Sequence, residues 1–373
     1  HRDLHSFPTR RSSDLFMSKF HSLTVVDIRK ETSDSVSVAF EVDAKDSAAF
    51  SYAPGQYLTL RFTINGEEVR RSYSLCSSPF SGEKMRVAVK IVQGGKVSTY
   101  MNSVLKVGDK VDSLLPMGSF TTTLKSDNQK HYVGFAAGSG ITPVYSLIKA
   151  ILEKEPKSKF TLIYSNKGSE STIFNKELED LCDANANRLK VVHVWSRQET
   201  GDPILNGRLD AERTAAVISK FELKAADEFF ICGPEEMIMN VSKSLENSGI
   251  KKEAVHFELF TTPVLMASTE SSVSAETFSG DSQVTVIMDG IETKFKLAGN
   301  GVNILDAAID AGADAPYSCK GAVCCTCKAK VQEGKAAMDM NYALTDKEVA
   351  DGYILTCQAH PLTDKLVVDY DVA

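Results

Sequence analysis

The stretch Cys319–Cys327, CKGAVCCTC, packs four of the chain's eight cysteines into nine residues. Cys319, Cys324 and Cys327 have the spacing C-x4-C-x2-C, and Cys357 follows after a further 29 residues in YILTCQAHP. Four thiolates at this spacing suit a 2Fe–2S cluster, in which each iron takes two sulfur ligands from the protein. A loop holding such a cluster must let backbone N–H groups reach its sulfurs, and the small residues Gly321 and Ala322 permit that approach. Structural zinc is the alternative. It favours two short C-x2–4-C pairs, and only one such pair exists here. Cys325 lies between two of the ligands and is expected to point away as a buried bystander. Cys76 and Cys182 read as small core or surface residues.

Four other stretches carry residues suited to binding a cofactor. In RRSYSLCSSP (Arg70–Pro79) Arg71 and Tyr73 share one strand face, so one can hold a phosphate while the other stacks on a planar ring. QGGKVST (Gln93–Thr99) places two glycines at a helix start, where free N–H groups bind a pyrophosphate. In AAGSGITP (Ala136–Pro143) Gly138 and Gly140 let a dinucleotide pyrophosphate approach the backbone. ICGPEEM (Ile231–Met237) ends an apolar strand, so Cys232 and Gly233 would face the ligand crevice of a parallel sheet. Each has a plainer reading: an edge strand with a solvated arginine, a Gly-Gly turn, a tight turn, a core cysteine.

The elements that position these residues fall into three segments. Residues 17–128 form short alternating runs such as SVSVAFEV, QYLTLRFT, VRRSYSL and MRVAVKIV, broken by APGQ, NGE and SGE. Period-two patterning with frequent turns predicts an antiparallel barrel or sandwich, interrupted by one helix in KVSTYMNSVL. Over 129–260 apolar strands alternate with amphipathic helices, which predicts a parallel sheet covered on both faces. In its first helix Val144, Leu147, Ile148, Ile151 and Leu152 share a face, with Thr142 expected as N-cap and Pro143 at N1. Residues 261–282, rich in Ser and Thr, read as a flexible linker. In 283–373, VTVIMDG and ETKFKL predict a hairpin, and NILDAAIDAG a short helix capped by Asn303 and ended by Gly312.

Composition narrows the function classes. The net charge is −7, which argues against a nucleic-acid partner, because phosphate binding needs clustered Lys and Arg. No run approaches the ~18 apolar residues that span a bilayer. Residues 1–16 are basic and Ser-rich without an apolar segment. They read as a non-native or disordered leader rather than a secretory signal, and the expected compartment is the cytoplasm, where disulfides are disfavoured. The last segment holds eight Lys, no Arg and thirteen Asp or Glu, so it carries −5 of the net charge of −7.

Arg-x-Tyr-Ser on a barrel strand, Gly-Ser-Gly-x-Thr-Pro after a strand and Cys-Gly-Pro on a later strand resemble the ferredoxin–NADP reductase superfamily, here followed by a plant-type ferredoxin of β-grasp fold. The resemblance implies FAD in the barrel, with Arg71 on its phosphate, Tyr73 against the isoalloxazine and Ser74 near N5. Gly95, Lys96, Val97 and Ser98 would hold the FAD pyrophosphate. Gly138, Ser139, Gly140, Thr142 and Pro143 would hold that of the nicotinamide nucleotide, and Cys232, Gly233 and Pro234 would meet the nicotinamide. Glu258 and Phe260 in HFELF fit the family's closing pair. Ser196 and Arg197 in VWSRQ are similar to the pair that grips the 2′-phosphate in members using NADPH, with Lys167 adding charge. FHSLTVVDI, ICGPEEM and MDMNYALTDKEVADGYILTCQAHP also resemble the reductase subunits of ring-1,2-phenylacetyl-CoA epoxidases. That implies transfer from NADPH through FAD and the cluster to a di-iron oxygenase. Reductases of other mono- or dioxygenases share the architecture, and a zinc-stabilised module without activity is the remote alternative.

Overall fold

Strand pairing starts at once in the computed structural model, which describes residues 19–261 and 278–372. The leader read over 1–16 and most of the linker read over 261–282 lie outside the described residues. The chain divides into two compact units, one over His21–Val273 and one containing Ser274–Ala373.

In the first unit six antiparallel strands build a barrel: β1 (His21–Thr32), β2 (Ser35–Glu41), β3 (Tyr57–Ile64), β4 (Glu67–Ser74), β5 (Met85–Lys90) and β6 (Lys110–Ser113). Their order is β4-β3-β6-β1-β2-β5, and a bridge from Leu75 to Val87 joins the two outer strands. The alternation predicted from the runs is what fills it: Leu23, Val25, Val38, Leu58, Leu60 and Val87 are fully buried. Asn65 and Gly66 make the tight β3–β4 turn with φ of +54° and +80°. Such a turn needs left-handed backbone at both central residues, which Asn-Gly adopts readily. Helix α1 (Lys96–Ser103) closes the barrel by burying Val97 and Met101.

The same unit holds a parallel sheet of β7 (His131–Ala137), β8 (Lys159–Asn166), β9 (Leu189–Trp195), β10 (Glu228–Cys232) and β11 (Val255–Glu258), in the order β11-β10-β7-β8-β9. Helices α2 (Ile141–Lys154), α3 (Asn175–Ala184), α4 (Ala211–Lys220) and α5 (Glu235–Asn247) connect the strands. The strand order reverses between β7 and β10, which opens a crevice at their carboxyl ends.

The α2 start differs from the expectation. Gly138–Gly140 already forms a 3-10 turn, the N-cap is Gly140, and Thr142 and Pro143 fall at the second and third helical positions. The Thr142 hydroxyl donates to the Ser139 carbonyl at 3.1 Å instead of capping the helix. Glycine lets the chain coil earlier: Gly138 takes φ +53°. Pro143 is still within the first turn, where its missing N–H has no helical partner to lose.

The second unit has a sheet of β12 (Asp281–Met288), β13 (Ile291–Ala298), β14 (Lys328–Glu333), β16 (Tyr353–Leu355) and β18 (Lys365–Asp369), ordered β13-β12-β18-β14-β16. A separate pair joins β15 (Ala336–Met338) to β17 (Ala359–Pro361). Helices α6 (Ile304–Asp310) and α7 (Asp346–Ala350) complete it. β12 pairs in parallel with β18 and antiparallel with β13, and Ile304, Leu305 and Ala308 of α6 join the core. This is a β-grasp. The expected hairpin and helix are present: Asn303 accepts the Asp306 N–H at 2.9 Å, and Gly312 follows α6 with φ +93°. β12 begins two residues inside the stretch read as linker, with Ser282 fully buried. Among the described residues no helix is long and apolar enough to cross a membrane.

At Gly140 a Cβ would lie 2.1 Å from the Cys232 carbonyl oxygen and 2.8 Å from the Gly233 nitrogen, both backbone atoms. A Cβ at Gly138 meets nothing within 4 Å and carries only the cost of its positive φ. Gly140→Ala is therefore expected to lower stability by about 1–3 kcal/mol, and more than Gly138→Ala does. Urea denaturation of both variants checks the order, and equal midpoints would refute the close approach.

Candidate functional site

The barrel strand β4 presents Arg71 to solvent, leaves Tyr73 half-buried on the same face and buries Ser74 at its end. Arg71 donates to its neighbour's carbonyl, Arg70 O, at 2.7 Å. Burial pushes the Tyr73 hydroxyl above its ordinary range, eased by the Arg71 guanidinium, so the ring stays neutral. The Gly95 turn leads into α1. A Cβ there would come within 2.5 Å of Ser98 Oγ and 3.1 Å of the Val92 carbonyl, so the backbone is bare at this point. Val97 and Ser98 are buried, Val97 in the barrel core and Ser98 bonded to Val92 N and Gly95 O. What this turn offers a ligand is the backbone N–H groups that the first helical turn leaves without partners. The exposed Lys96 is paired with Glu67 at 2.5 Å.

Ser74 of the barrel reaches the sheet. Its hydroxyl donates to Glu258 Oε2 at 3.1 Å, across 184 residues of sequence. Strand β11 delivers Glu258 in register with Cys232 of β10, and Cys232 stands in turn beside Ala136 of β7. Ser74, Gly140, Cys232 and Glu258, read from four separate stretches, thus converge at one crevice. Glu258 is half-buried as a residue, yet protein surrounds its carboxyl group. Desolvation pushes its pKa up to about 8 against the pull of the Ser74 hydroxyl. Near neutral pH it is a proton-bearing acid. Burial, and then the neighbouring Glu258, push the Cys232 thiol well up, so it is not a thiolate nucleophile. Gly233 follows Cys232, Pro234 is the exposed N-cap of α5, and Phe260 stands 44% exposed just beyond β11.

At the other end of the crevice the Arg197 N–H donates to the Lys167 carbonyl and the Ser196 N–H to the Asn166 carbonyl, both at 2.9 Å. The two exposed cations therefore leave β8 and β9 side by side. Thr142 and Pro143 are buried in α2, where they shape the glycine turn rather than line the crevice. One residue that the motifs do not reveal is Tyr164. Fully buried in β8, it donates its hydroxyl to the Gly138 carbonyl at 3.0 Å and so anchors the turn from below. Its only signal is a hydroxyl-bearing ring that follows Leu162 and Ile163 in the strand run TLIYS.

In the cysteine loop the thiols stand as two pairs. Cys324 Sγ donates to Cys319 Sγ at 3.1 Å, and the Cys327 thiol donates a hydrogen bond to Cys357. Among the described residues no three His, Cys, Asp or Glu side chains converge on a single ion position. The Cys324 thiol draws the Cys319 pKa down to about 6 against burial, helped by the N–H groups of Gly321, Val323 and Cys324. Cys357 is lowered likewise by Cys327 and, less, by the Ala322 N–H. Two thiol pairs ringed by backbone N–H groups fit a two-iron cluster, each pair serving one iron. The left-handed positions of the loop are Lys320 (φ +52°) and Ala322 (φ +62°), not Gly321. Cys325 departs from the buried bystander expected: it is half-buried, packed against the core, with Sγ 3.5 Å from the Ala343 carbonyl. It joins neither pair. Cys76 is core and Cys182 half-buried.

Three family models match in the same order: an oxidoreductase FAD-binding domain over residues 22–122, an oxidoreductase NAD-binding domain over 135–243, and a 2Fe-2S iron-sulfur cluster binding domain over 286–362. The chain is 41% identical to one of the subunits of the 1,2-phenylacetyl-CoA epoxidase of Escherichia coli (strain K12), over 95% of this chain and 99% of that protein. It belongs to that family of oxygenase reductases. It is also 34% identical to the ferredoxin reductase component of 3-ketosteroid-9-alpha-monooxygenase from Rhodococcus rhodochrous, over 93% of this chain and 96% of that one. Phthalate dioxygenase reductase, described as a modular structure for electron transfer from pyridine nucleotides to 2Fe-2S, matches with a TM-score of 0.57 at 25% identity, covering 94% of this chain and 98% of its own. The protein is thus an oxidoreductase with FAD-binding, NAD(P)-binding and 2Fe–2S domains, the electron-supplying component of an oxygenase system.

The raised pKa of Glu258 has a pH signature. The folded protein keeps a proton on Glu258 that the unfolded chain releases, so stability from this group is full below about 4.5. It falls as pH rises and is lost once pH passes about 8. Glu258→Gln is expected to flatten this part of the profile, with its melting temperature falling less than that of the unsubstituted protein between those limits. Thermal melts across the window check it; parallel profiles would refute a proton on Glu258.

Proposed function

We propose that the protein oxidises NADPH and supplies its electrons, through FAD and the 2Fe–2S cluster, to the di-iron oxygenase of a phenylacetyl-CoA epoxidase system. The observation that carries the redox part is the Ser74–Glu258 hydrogen bond, which joins the FAD-binding barrel to the strand ends of the nucleotide sheet. The name of the 41% identical relative supports an epoxidase as partner, and its di-iron type rests on the family resemblance. The functional segments are 17–128 for FAD, 129–260 for NADPH and 283–373 for the cluster. None of the eight cysteines forms a disulfide, as expected of a reducing cytoplasm.

The flavin, when bound, would supply acceptance of one hydride and release of its two electrons singly, which the cluster can carry. The chain's own residues bind and orient. Arg71 meets the FAD phosphate with a planar guanidinium fork, Tyr73 lies against the ring and Ser74 at its reactive edge. The N–H groups of Lys96, Val97 and Ser98 face the FAD pyrophosphate, while Gly95, whose own N–H donates to the Val92 carbonyl, keeps the approach bare. Gly138, Ser139 and Gly140, held in shape by Thr142 and Pro143, receive that of NADPH, and Ser196, Arg197 and Lys167 take its 2′-phosphate. Cys232, Gly233 and Pro234 bound the nicotinamide as a small, uncharged wall. Glu258 and Phe260 close the site, with Glu258 able to hold a proton at Oε. Cys319, Cys324, Cys327 and Cys357 ligate the irons. Catalysis here is positioning.

A charge-assisted phosphate contact is worth about 1.5–3 kcal/mol, roughly a 10- to 100-fold effect. Arg197→Ala is therefore expected to cut kcat/KM for NADPH by about that factor and to leave NADH within about twofold. Equal losses with both nucleotides would remove Arg197 from the 2′-phosphate site.

The partner is tested by mixing the holoprotein with the epoxidase oxygenase components and following NADPH oxidation with and without phenylacetyl-CoA. Substrate-dependent oxidation that yields epoxide is the expected result. NADPH-driven reduction of an artificial acceptor without epoxide would keep the redox reading and reject this oxygenase. The 34% identity to a ketosteroid monooxygenase reductase makes another oxygenase the second reading.

A further inference from the structure

We propose that Tyr370, acting through Thr356, is a positioning residue for the Cys327–Cys357 half of the cluster site; the proposal rests on the ligand assignment made above. Thr356 immediately precedes Cys357, and no part of it is exposed. Its hydroxyl donates to the Cys327 carbonyl at 3.0 Å, and its backbone N–H donates to the same oxygen at 3.2 Å. The residue before one ligand thus grips the backbone of the other.

A hydroxyl has one proton to give. With that proton on the Cys327 carbonyl, the contact between the Thr356 and Tyr370 hydroxyls at 2.8 Å must be donated by Tyr370. The chain of bonds has one possible direction, from Tyr370 to Thr356 to Cys327. Both ends are fixed. Tyr370 is 4% exposed, just past β18, and its own N–H donates to the Ile287 carbonyl at 2.9 Å. The Thr356 carbonyl accepts from Leu305 N of α6 at 3.1 Å. Strand β12 through Tyr370, helix α6, and Cys327 at the entry to β14 are therefore tied to one buried threonine.

Two buried hydroxyls in an apolar core are costly unless bonded, and phenylalanine with valine would fill the same space without them. What the polar pair adds is direction. It fixes the Cys327 carbonyl, and with it the rotation of the backbone from which that thiol projects, while the adjoining peptide sets Cys357. Partners of this kind orient ligand residues, and their loss typically costs about 10- to 100-fold in affinity for the bound metal.

The test uses the full chain with its cluster, as Tyr370→Phe, Thr356→Val and Thr356→Ser. Each is read by electron paramagnetic resonance of the reduced cluster, by its midpoint potential and by the rate of iron loss to a chelator, with flavin content as the control. Tyr370→Phe and Thr356→Val are expected to shift the g-values and the potential and to release iron about 10-fold faster. Thr356→Ser keeps the hydroxyl and should behave as the unsubstituted protein. Thr356→Ser as damaged as Thr356→Val would assign the effect to methyl packing and overturn the proposal, as would unchanged spectra, potential and release in Tyr370→Phe. Should Thr356→Val assemble no cluster, Tyr370→Phe decides, since it preserves both the threonine and the ring volume. An unsubstituted protein with no reduced-cluster signal would instead overturn the ligand assignment itself.

Discussion

Two backbones meet at Gly140 and Cys232 with no room for a side chain between them, and the crevice depends on that contact. It is possible because the sheet order turns back between β7 and β10, so the first turn of the sheet lies against the end of a strand far away in sequence. Everything polar at the site is referred to this junction. Tyr164 holds the turn from beneath, β11 carries Glu258 alongside Cys232, and Ser74 arrives from the barrel to meet the carboxyl group. A bulkier residue at position 140 would push the turn off the strand and separate groups that this contact holds together.

Local chemistry is the legible part. The Asn65-Gly66 turn, the helix cap at Asn303, the buried face of α2 and the cysteine spacing each follow from a few neighbouring residues, because a short-range rule decides them. Longer-range features are hidden. Strand β11 is four residues, VHFE, with half its side chains polar, and its pairing with β10 is what makes it a strand. Tyr164 looks like any core aromatic until its hydroxyl is seen under the glycine turn. The resemblance places Glu258 at the site, but its pairing with Ser74 spans two lobes that no periodicity connects. The start of α2 departs from expectation for a different reason: a threonine before a proline is a good cap, but flexible glycines have already begun the coil.

The cysteine loop shows the same division. Spacing identifies four thiols, and the structure sorts them into pairs and aims peptide N–H groups at them. The loop takes left-handed backbone at Lys320 and Ala322, which cost more there than glycine would. Such positions are held by the surrounding structure, not by the local sequence, so no local rule finds them. Cys325 shares the stretch but turns to the Ala343 carbonyl, outside both pairs.

The order of strands in the β-grasp unit has a consequence for how the protein is made. Strand β18 comes last in the chain but lies in the middle of its sheet, between β12 and β14. A ribosome must have delivered residue 369 before the two sides of that sheet can be joined. Cys319, Cys324, Cys327 and Cys357 are all translated earlier, and they wait in an unfinished scaffold until this strand zips into place. The two sides of the sheet, and with them the two thiol pairs, are thereby joined late, after residue 369 has been made.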